Sequence, residues 1–254
     1  MEHSELIREQ FTRQAVPFAT APSIKDEAAL RLIVEFSGAG PDDTVLDIAC
    51  GPGLVVCAFA RIVRHATGID LTPAMLDQAR AHAAGQGVTN VTWRQGDVLP
   101  LPWSDAAFTL VTARFAFHHF LDPLAVLREM ARVCAPGGTV MVVDSAPAAA
   151  KAAAFNRMET LRDPSHVRSL PVVEHVELFR RVGLPEPRVT HYRREGDLEG
   201  LIARSFPRPG DADRIRGIFA DSLADDTLDM QVRREGDRIV FGGYPVAVLA
   251  ARRD

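Results

Sequence analysis

Between Thr44 and Ser145 the apolar positions fall into short runs separated by amphipathic stretches. TVLDIA (44–49), HATGID (65–70), VTWRQ (91–95), FTLVTA (108–113) and TVMVVDS (139–145) read as strands. Short, largely continuous apolar strands suit a parallel sheet covered on both faces. Between them, LVVCAFARIV, the stretch 73–84 and DPLAVLREMARVC carry helical spacing. Pro73 suits the first turn of its helix, Asp122 the N-cap of the next, and Pro136-Gly137-Gly138 its end. Alternating strands and helices predict βαβ units. The fold class is α/β: a doubly wound Rossmann-like sheet, mostly parallel, with helices on both faces.

The flanks are less regular. Glu5 to Ala15 predicts a short helix broken by Pro17 and Pro22, and Ser23 an N-cap for a helix through Phe36, stopped by Gly38 and Gly40. Beyond Ser145, helices are expected over 148–161, 172–182, 198–203 and 211–223, with a strand over 187–192. MQVRREGDRIVFGGYPVAVLAA predicts a hairpin turning near Gly236-Asp237 and an antiparallel C-terminal strand. One domain over 1–254 is expected, with an N-terminal helical cap (1–40), a ligand-binding core (41–145), a helical lid with strand 6 (146–228) and C-terminal strands (229–254).

Composition mainly excludes. Of 254 residues, 47% are hydrophobic, enough for one sizeable core. A net charge of -4 argues against a nucleic-acid partner. Cys50, Cys57 and Cys134 form no CxxC pair, so no metal and no disulfide framework is expected. No run of about 18 apolar residues suggests a membrane span, and MEHSELIREQFTRQ does not read as a leader. A cytoplasmic monomer or homodimer without a membrane partner is the expectation.

The candidate chemistry begins at the turn CGPG after the first strand, where doubly wound sheets bind ligands. Gly51-Pro-Gly53-Leu-Val-Val56 misses the dinucleotide fingerprint at Val56, and a Walker lysine is absent. No Tyr-Lys pair supports a nicotinamide oxidoreductase. Carboxylates instead stand at consecutive strand ends: Asp47, Asp70 and Asp97. Asp70 is placed for ribose hydroxyls and Asp97 for an adenine edge. Such acids suit a positively charged nucleoside ligand without phosphates.

Asp47-x-Ala49-x-Gly51-x-Gly53, Gly68-Ile-Asp70-x-x-Pro73-x-Met75-Leu76, Gly96-Asp97 and Arg-Val-Cys-Ala-Pro136-Gly137-Gly138, in that order, resemble the class I S-adenosylmethionine-dependent methyltransferases. The nearest likeness is to the ubiquinone/menaquinone-biosynthesis C-methyltransferase group (methyltransferase type 11). Two positions depart from the pattern: Ala49 replaces the first glycine, and Phe108-Thr109 lacks the usual carboxylate. The resemblance implies S-adenosyl-L-methionine as cofactor and S-adenosyl-L-homocysteine as product. It implies that the Gly51–Gly53 loop meets the methionine part, Asp70 the ribose, Met75 the adenine, and Asp97 with Val98 the adenine amino edge. Phe18, Asp47, Ala49, Cys50, Leu71, Gly96 and Arg114 complete the implied cofactor set. Phe11 and Phe18, in QFTRQAVPF, belong to a segment that folds over the cofactor in this family.

Three further stretches resemble one bacterial subgroup of these enzymes: Arg114-Phe-Ala-Phe-His118-His119-Phe, Asp144-Ser-Ala-Pro147 and Arg162-Asp163-Pro-Ser-His166-Val-Arg168. This implies His118, His119 and Arg114 as catalytic residues. It also implies Phe115, His119, Asp144, Arg162, His166 and Arg168 around a small-molecule acceptor. Adjacent histidines share no helical face, and no third ligand has metal spacing, so a base fits better than a metal site. The expected reaction is C- or O-methylation of a phenolic, quinol-like or acidic metabolite. N-methylation, or cofactor binding without catalysis, is the alternative.

Overall fold

The computed structural model describes residues 2–20 and 26–254, apart from the side chains of Phe18 and Thr20. Strands β1 (Thr44–Ile48), β2 (His65–Asp70), β3 (Val91–Gln95), β4 (Phe108–Arg114) and β5 (Cys134–Ser145) are parallel, in the order β3-β2-β1-β4-β5. β8 (Arg238–Arg252) runs antiparallel to β5 and is followed in the sheet by β6 (Arg188–Asp197). β7 (Val232–Glu235) folds back on β8 through Gly236-Asp237. The fold is therefore the expected mostly parallel, doubly wound sheet with antiparallel pairing at its C-terminal strand. Val45 pairs with both Ala66 and Leu110, so strand order reverses at β1 and β4. That reversal opens the crevice at the strands' carboxyl ends.

The helices are α1 (His3–Thr20), α2 (Glu27–Ser37), α3 (Leu54–Ala60), α4 (Pro73–Gly85), α5 (Pro123–Val133), α6 (Ala152–Arg162), α7 (Val172–Arg181), α8 (Leu198–Ser205) and α9 (Asp211–Asp225), with a 3-10 turn at Phe117–His119. Successive side chains of a strand point to opposite faces. Met141 and Val143 of β5 join the core containing Ile33 of α2, Phe59 of α3 and Phe155 of α6. Val140 and Val142 join the core containing Leu127 of α5 and Phe179 of α7. Burying a side chain the size of Phe59 or Phe179 stabilises the fold by about 1.5–3 kcal/mol. Among the described residues no helix is long and apolar enough to cross a membrane.

The structure departs from the sequence reading at several boundaries. α1 continues across Pro17 to Thr20 instead of breaking there. Tertiary anchors hold it: Gln10 donates to the Ser205 carbonyl at 2.6 Å and Gln14 to Asp163 Oδ2 at 3.3 Å. α2 is capped by Asp26, which accepts from the amides of Ala28 and Ala29; Pro22 and Ser23 lie outside the described residues. β5 starts at Cys134, because Pro136-Gly137-Gly138 forms a shifted register against β4 instead of a loop. A Cβ at Gly138 would stand 2.6 Å from the Thr109 carbonyl oxygen, so the strands close only over a glycine. α6 starts at Ala152, and pairing with β8 carries β6 past Tyr192 to Asp197.

Candidate functional site

The turn after β1 is shaped by positive φ angles: 50° at Ala49, 52° at Gly51 and 75° at Gly53. The two glycines have different reasons to be glycine. A Cβ at Gly51 would meet only Met75 Sδ, at 4.0 Å, so this residue borders open space. A Cβ at Gly53 would lie 2.5 Å from Trp93 Cη2 and 2.9 Å from Ala79 Cβ. Gly53 thus seats the start of α3 against β3 and α4 and faces away from the crevice. Cys50 packs likewise: its Sγ would lie 2.7 Å from a Cβ at Gly68, and burial pushes its thiol pKa well up.

Asp70, at the end of β2, holds the turn. Its Oδ2 accepts from the Gly51 amide and its Oδ1 from the Thr72 amide, both at 2.8 Å. Burial raises its carboxyl above the usual range, against the pull of those amides. Asp97 Oδ1 accepts from the Val98 amide at 2.6 Å and the Leu99 amide at 3.2 Å. Asp70, Asp97, Ala49, Gly51, Leu71, Met75, Gly96 and Val98 line one cleft of about 480 Å³. Its far wall is Ile7 and Phe11 of α1.

Beneath the turn lies a chamber of about 50 Å³ lined by Asp47, Cys50, Gly51 and Arg114. Asp47 Oδ1 is buried there without a hydrogen-bond partner among the described residues. Burial drives the Asp47 carboxyl well up, partly opposed by Arg114. A buried, unsatisfied carboxylate oxygen facing a cation suits a ligand bearing both an ammonium and a carboxylate.

Beyond the cleft, a pocket of about 70 Å³ is lined by His118, His119, Arg162, Arg194, Arg204 and Tyr244, among others. Phe115 borders all three spaces. It holds φ 55° while its amide donates to the Val143 carbonyl at 2.8 Å. The Arg114 and Arg194 guanidiniums stack on its ring, 4.6 and 4.9 Å from the centroid.

The 3-10 turn sets the histidines. His118 Nδ1 donates to Asp144 Oδ1 at 2.5 Å, and its amide donates to Oδ2 at 3.0 Å. Its Nε2 has no partner among the described residues, on a side chain that lines the pocket. Burial alone would lower the His118 pKa; the Asp144 carboxylate outweighs it and holds the imidazole above its usual value. His119 Nδ1 donates to the Ser165 carbonyl at 3.0 Å, and burial beside His118 lowers its pKa to about 4. His119 borders both pocket and cleft, edge-on to Phe11 with centroids 5.0 Å apart.

The remaining predicted residues divide. Arg162 lines the pocket and pairs with buried Glu159 at 2.6 Å. Asp144 lies behind His118, 1% exposed. His166 sits 5.4 Å from the His118 ring and donates through Nε2 to Asn156 Oδ1, lining none of the three spaces. Arg168 is out at the surface, paired with Glu174. The Phe18 side chain lies outside the described residues. Sequence reading did not reach Arg194, Arg204, Phe241 or Tyr244. Only Tyr244 carried a signal, as the one hydroxyl in the run VFGGYPVAV.

Known proteins fit this arrangement. A methyltransferase-domain family profile matches residues 46–142. An uncharacterized methyltransferase of Bacillus subtilis, YcgJ, is 34% identical over 250 residues, covering 96% of this chain and 98% of its own. The chain belongs to the class I S-adenosylmethionine-dependent methyltransferases. The YcgJ crystal structure superposes on this methyltransferase with a TM-score of 0.80 at 27% identity, covering 89% of this chain and 99% of that one. The ubiquinone/menaquinone biosynthesis C-methyltransferase UbiE of Bdellovibrio bacteriovorus is 34% identical over 55% of this chain and 62% of its own. A 2-phytyl-1,4-naphtoquinone methyltransferase of Synechococcus elongatus is 33% identical over 45% and 51%. The methyltransferase's cleft fits the cofactor of the family: it offers open space over Gly51, the Asp70 carboxylate, and the orphaned Asp47 oxygen facing Arg114. Among the described residues no cluster of His, Cys, Asp or Glu could hold a metal ion.

Proposed function

We propose that this methyltransferase methylates carbon or oxygen of a small phenolic, quinol-like or acidic metabolite, with His118 taking the acceptor's proton. The observation that carries the reading is the His118–Asp144 pair: Nδ1 is fixed by a buried carboxylate and Nε2 is left on a pocket adjoining the cofactor cleft. The Bdellovibrio relative's name places it in quinone biosynthesis and the Synechococcus relative's name gives a naphthoquinone, both within this chemical range.

When bound, S-adenosylmethionine supplies a methyl group activated by a positive sulfur. Asp70 holds its ribose, Met75 packs on its adenine, and Asp97 with Val98 meets the amino edge. Asp47 and Arg114 take the ammonium and carboxylate of its amino-acid end. In this reading Arg114 serves the cofactor, beside its expected role toward the acceptor. Alignment of acceptor and methyl is the main work and can supply several kcal/mol of the barrier. A phenol near pKa ~10 or a quinol carbon also needs a base. Asp144 keeps Nδ1 protonated, so that Nε2 of His118 is the basic nitrogen. His119 stays neutral and closes the wall between pocket and cleft, while α1, α6 and α8 form the acceptor half of the site.

The test is turnover of methyl-labelled S-adenosylmethionine with a panel of phenols, quinols and small acids. Acceptor-dependent S-adenosylhomocysteine release is expected, falling by about 10²-fold or more in His118→Gln. Release indifferent to that substitution would remove the base. S-adenosylhomocysteine binding without release on any acceptor would indicate a binding protein.

A further inference from the structure

The pocket beside His118 is rich in donors and poor in acceptors. Arg162 of α6, Arg194 of β6, Arg204 of α8 and Tyr244 of β8 all line it. Tyr244 is 6% exposed, its ring packed by Phe155 and by the Arg194 guanidinium. Its hydroxyl has no hydrogen-bond partner among the described residues, and neither does the half-buried Arg204 guanidinium. Burial lowers the Arg204 pKa; Asp197 opposes this and neighbouring Arg162 adds to it. Arg162 donates to Glu159 from Nε and Nη2 and to Ser205 Oγ from Nη1. A guanidinium has five N–H groups, so some on Nη1 and Nη2 stay uncommitted.

The carboxylates nearby are already engaged. Asp163 accepts from the Ser165 amide and hydroxyl on Oδ1 and from Gln14 on Oδ2. Glu159 is taken by Arg162. Residues 18–25, FATAPSIK, contain no acid. The third carboxylate, Asp197 beside Arg204, accepts from the Gly200 amide and pairs with Arg238 at 3.4 Å. Buried donors without acceptors are costly, and an oxyanion removes the cost.

We infer that the methyl acceptor carries an oxyanion, a carboxylate or a phosphate, seated on Arg162, Arg204 and Tyr244. This rests on reading the adjoining cleft as the cofactor site. The pocket and the cleft share Phe115 and His119 in their linings, so the rest of the acceptor reaches past these two residues toward the cleft.

The experiment is a calorimetric titration of the full chain saturated with S-adenosylhomocysteine. The probes are 4-hydroxybenzoate, 4-hydroxyphenyl phosphate and the uncharged 4-hydroxybenzamide. At least one oxyanion is expected to bind about tenfold or more tighter than the amide, since hydrogen bonds to charged groups are the strong ones. The tighter of the two anions identifies the head group. Arg204→Gln and Tyr244→Phe should each remove most of that preference while S-adenosylhomocysteine affinity stays unchanged. Tyr244→Phe deletes a single hydroxyl and guards against loss of fold. Equal binding of amide and anions, no binding of either anion, or a preference that survives both substitutions would overturn the proposal. Failure of S-adenosylhomocysteine itself to bind would instead overturn the cofactor reading beneath it.

Discussion

The two halves of the site are built in different ways. The cleft proposed for the cofactor is framed by consecutive strand ends: the turn after β1, Asp70 with the amides it holds, and Gly96-Asp97. The pocket proposed for the acceptor is lined by long side chains from α1, α6, β6, α8 and β8. A backbone cradle depends on glycines and tight turns and tolerates little change. A side-chain pocket can be rewritten residue by residue while the scaffold stands. One fold can therefore keep one methyl donor and exchange acceptors.

Substitutions that strike one half and spare the other test this contrast. The largest effect is expected at Gly53→Val. The φ of 75° and the 2.5 Å approach to Trp93 combine backbone strain with overpacking, about 3 kcal/mol or more in sum. Urea melts should show the destabilisation and calorimetry the loss of S-adenosylhomocysteine binding; a stable, binding-competent variant would contradict the packing role. Next comes Asp144→Asn. Turnover should drop about 10²–10⁴-fold with cofactor affinity intact. The acid limb of its pH profile should also move to lower pH, because the carboxylate that raises the His118 pKa is gone. An unmoved limb would leave Asp144 a purely structural residue. Asp70→Ala should follow, weakening S-adenosylhomocysteine binding by about ten- to a hundredfold through lost charged hydrogen bonds. Comparable affinity in that variant would mean the turn stands without Asp70.

The smallest expected effect concerns acid stability. His175 is 1% exposed, packed against Phe117, and neither ring nitrogen has a partner among the described residues. Burial holds its pKa down at about 4, His119 at about 4 and His166 at about 2. Unfolded, each titrates near ~6.5. Below that value the unfolded chain takes up protons that the folded chain refuses, so stability falls with pH from about 6.5 downward. His118 acts in the opposite sense: its contribution is complete below ~6.5 and is lost as pH rises through its raised folded value. Around it stand Asp144, Glu159, Arg162, His119 and His166. His175→Leu should therefore reduce the fall in Tm between about pH 7 and 5. An undiminished fall would assign the acid sensitivity to the other histidines.

The same contrast explains what the sequence could tell. The cleft was legible because each strand and the turn that follows it are contiguous, so Asp70 and Gly51 announce themselves within a few residues of a predicted strand end. Asp122, the hairpin at Gly236-Asp237 and the core strands were local in the same sense. The pocket was not, because Arg194, Arg204 and Tyr244 meet only after β8 inserts between β5 and β6, a pairing without local signature. His166 and Arg168 lie two positions apart, yet one turns inward to Asn156 and the other outward to Glu174. Spacing alone does not choose between those outcomes.

The position of β8 also governs the order in which this protein can come into being. Among the described residues it is the last strand, yet it lies inside the sheet, with β5 on one side and β6 on the other. A ribosome releases it after every other strand. Until Arg252 has emerged, β5 and β6 each present an open edge, the kind of surface that invites mispairing with another chain. Tyr244 arrives with that strand, so the pocket proposed for the acceptor closes only after the other described strands have been made. A nascent chain can complete the turn after β1 long before that pocket exists.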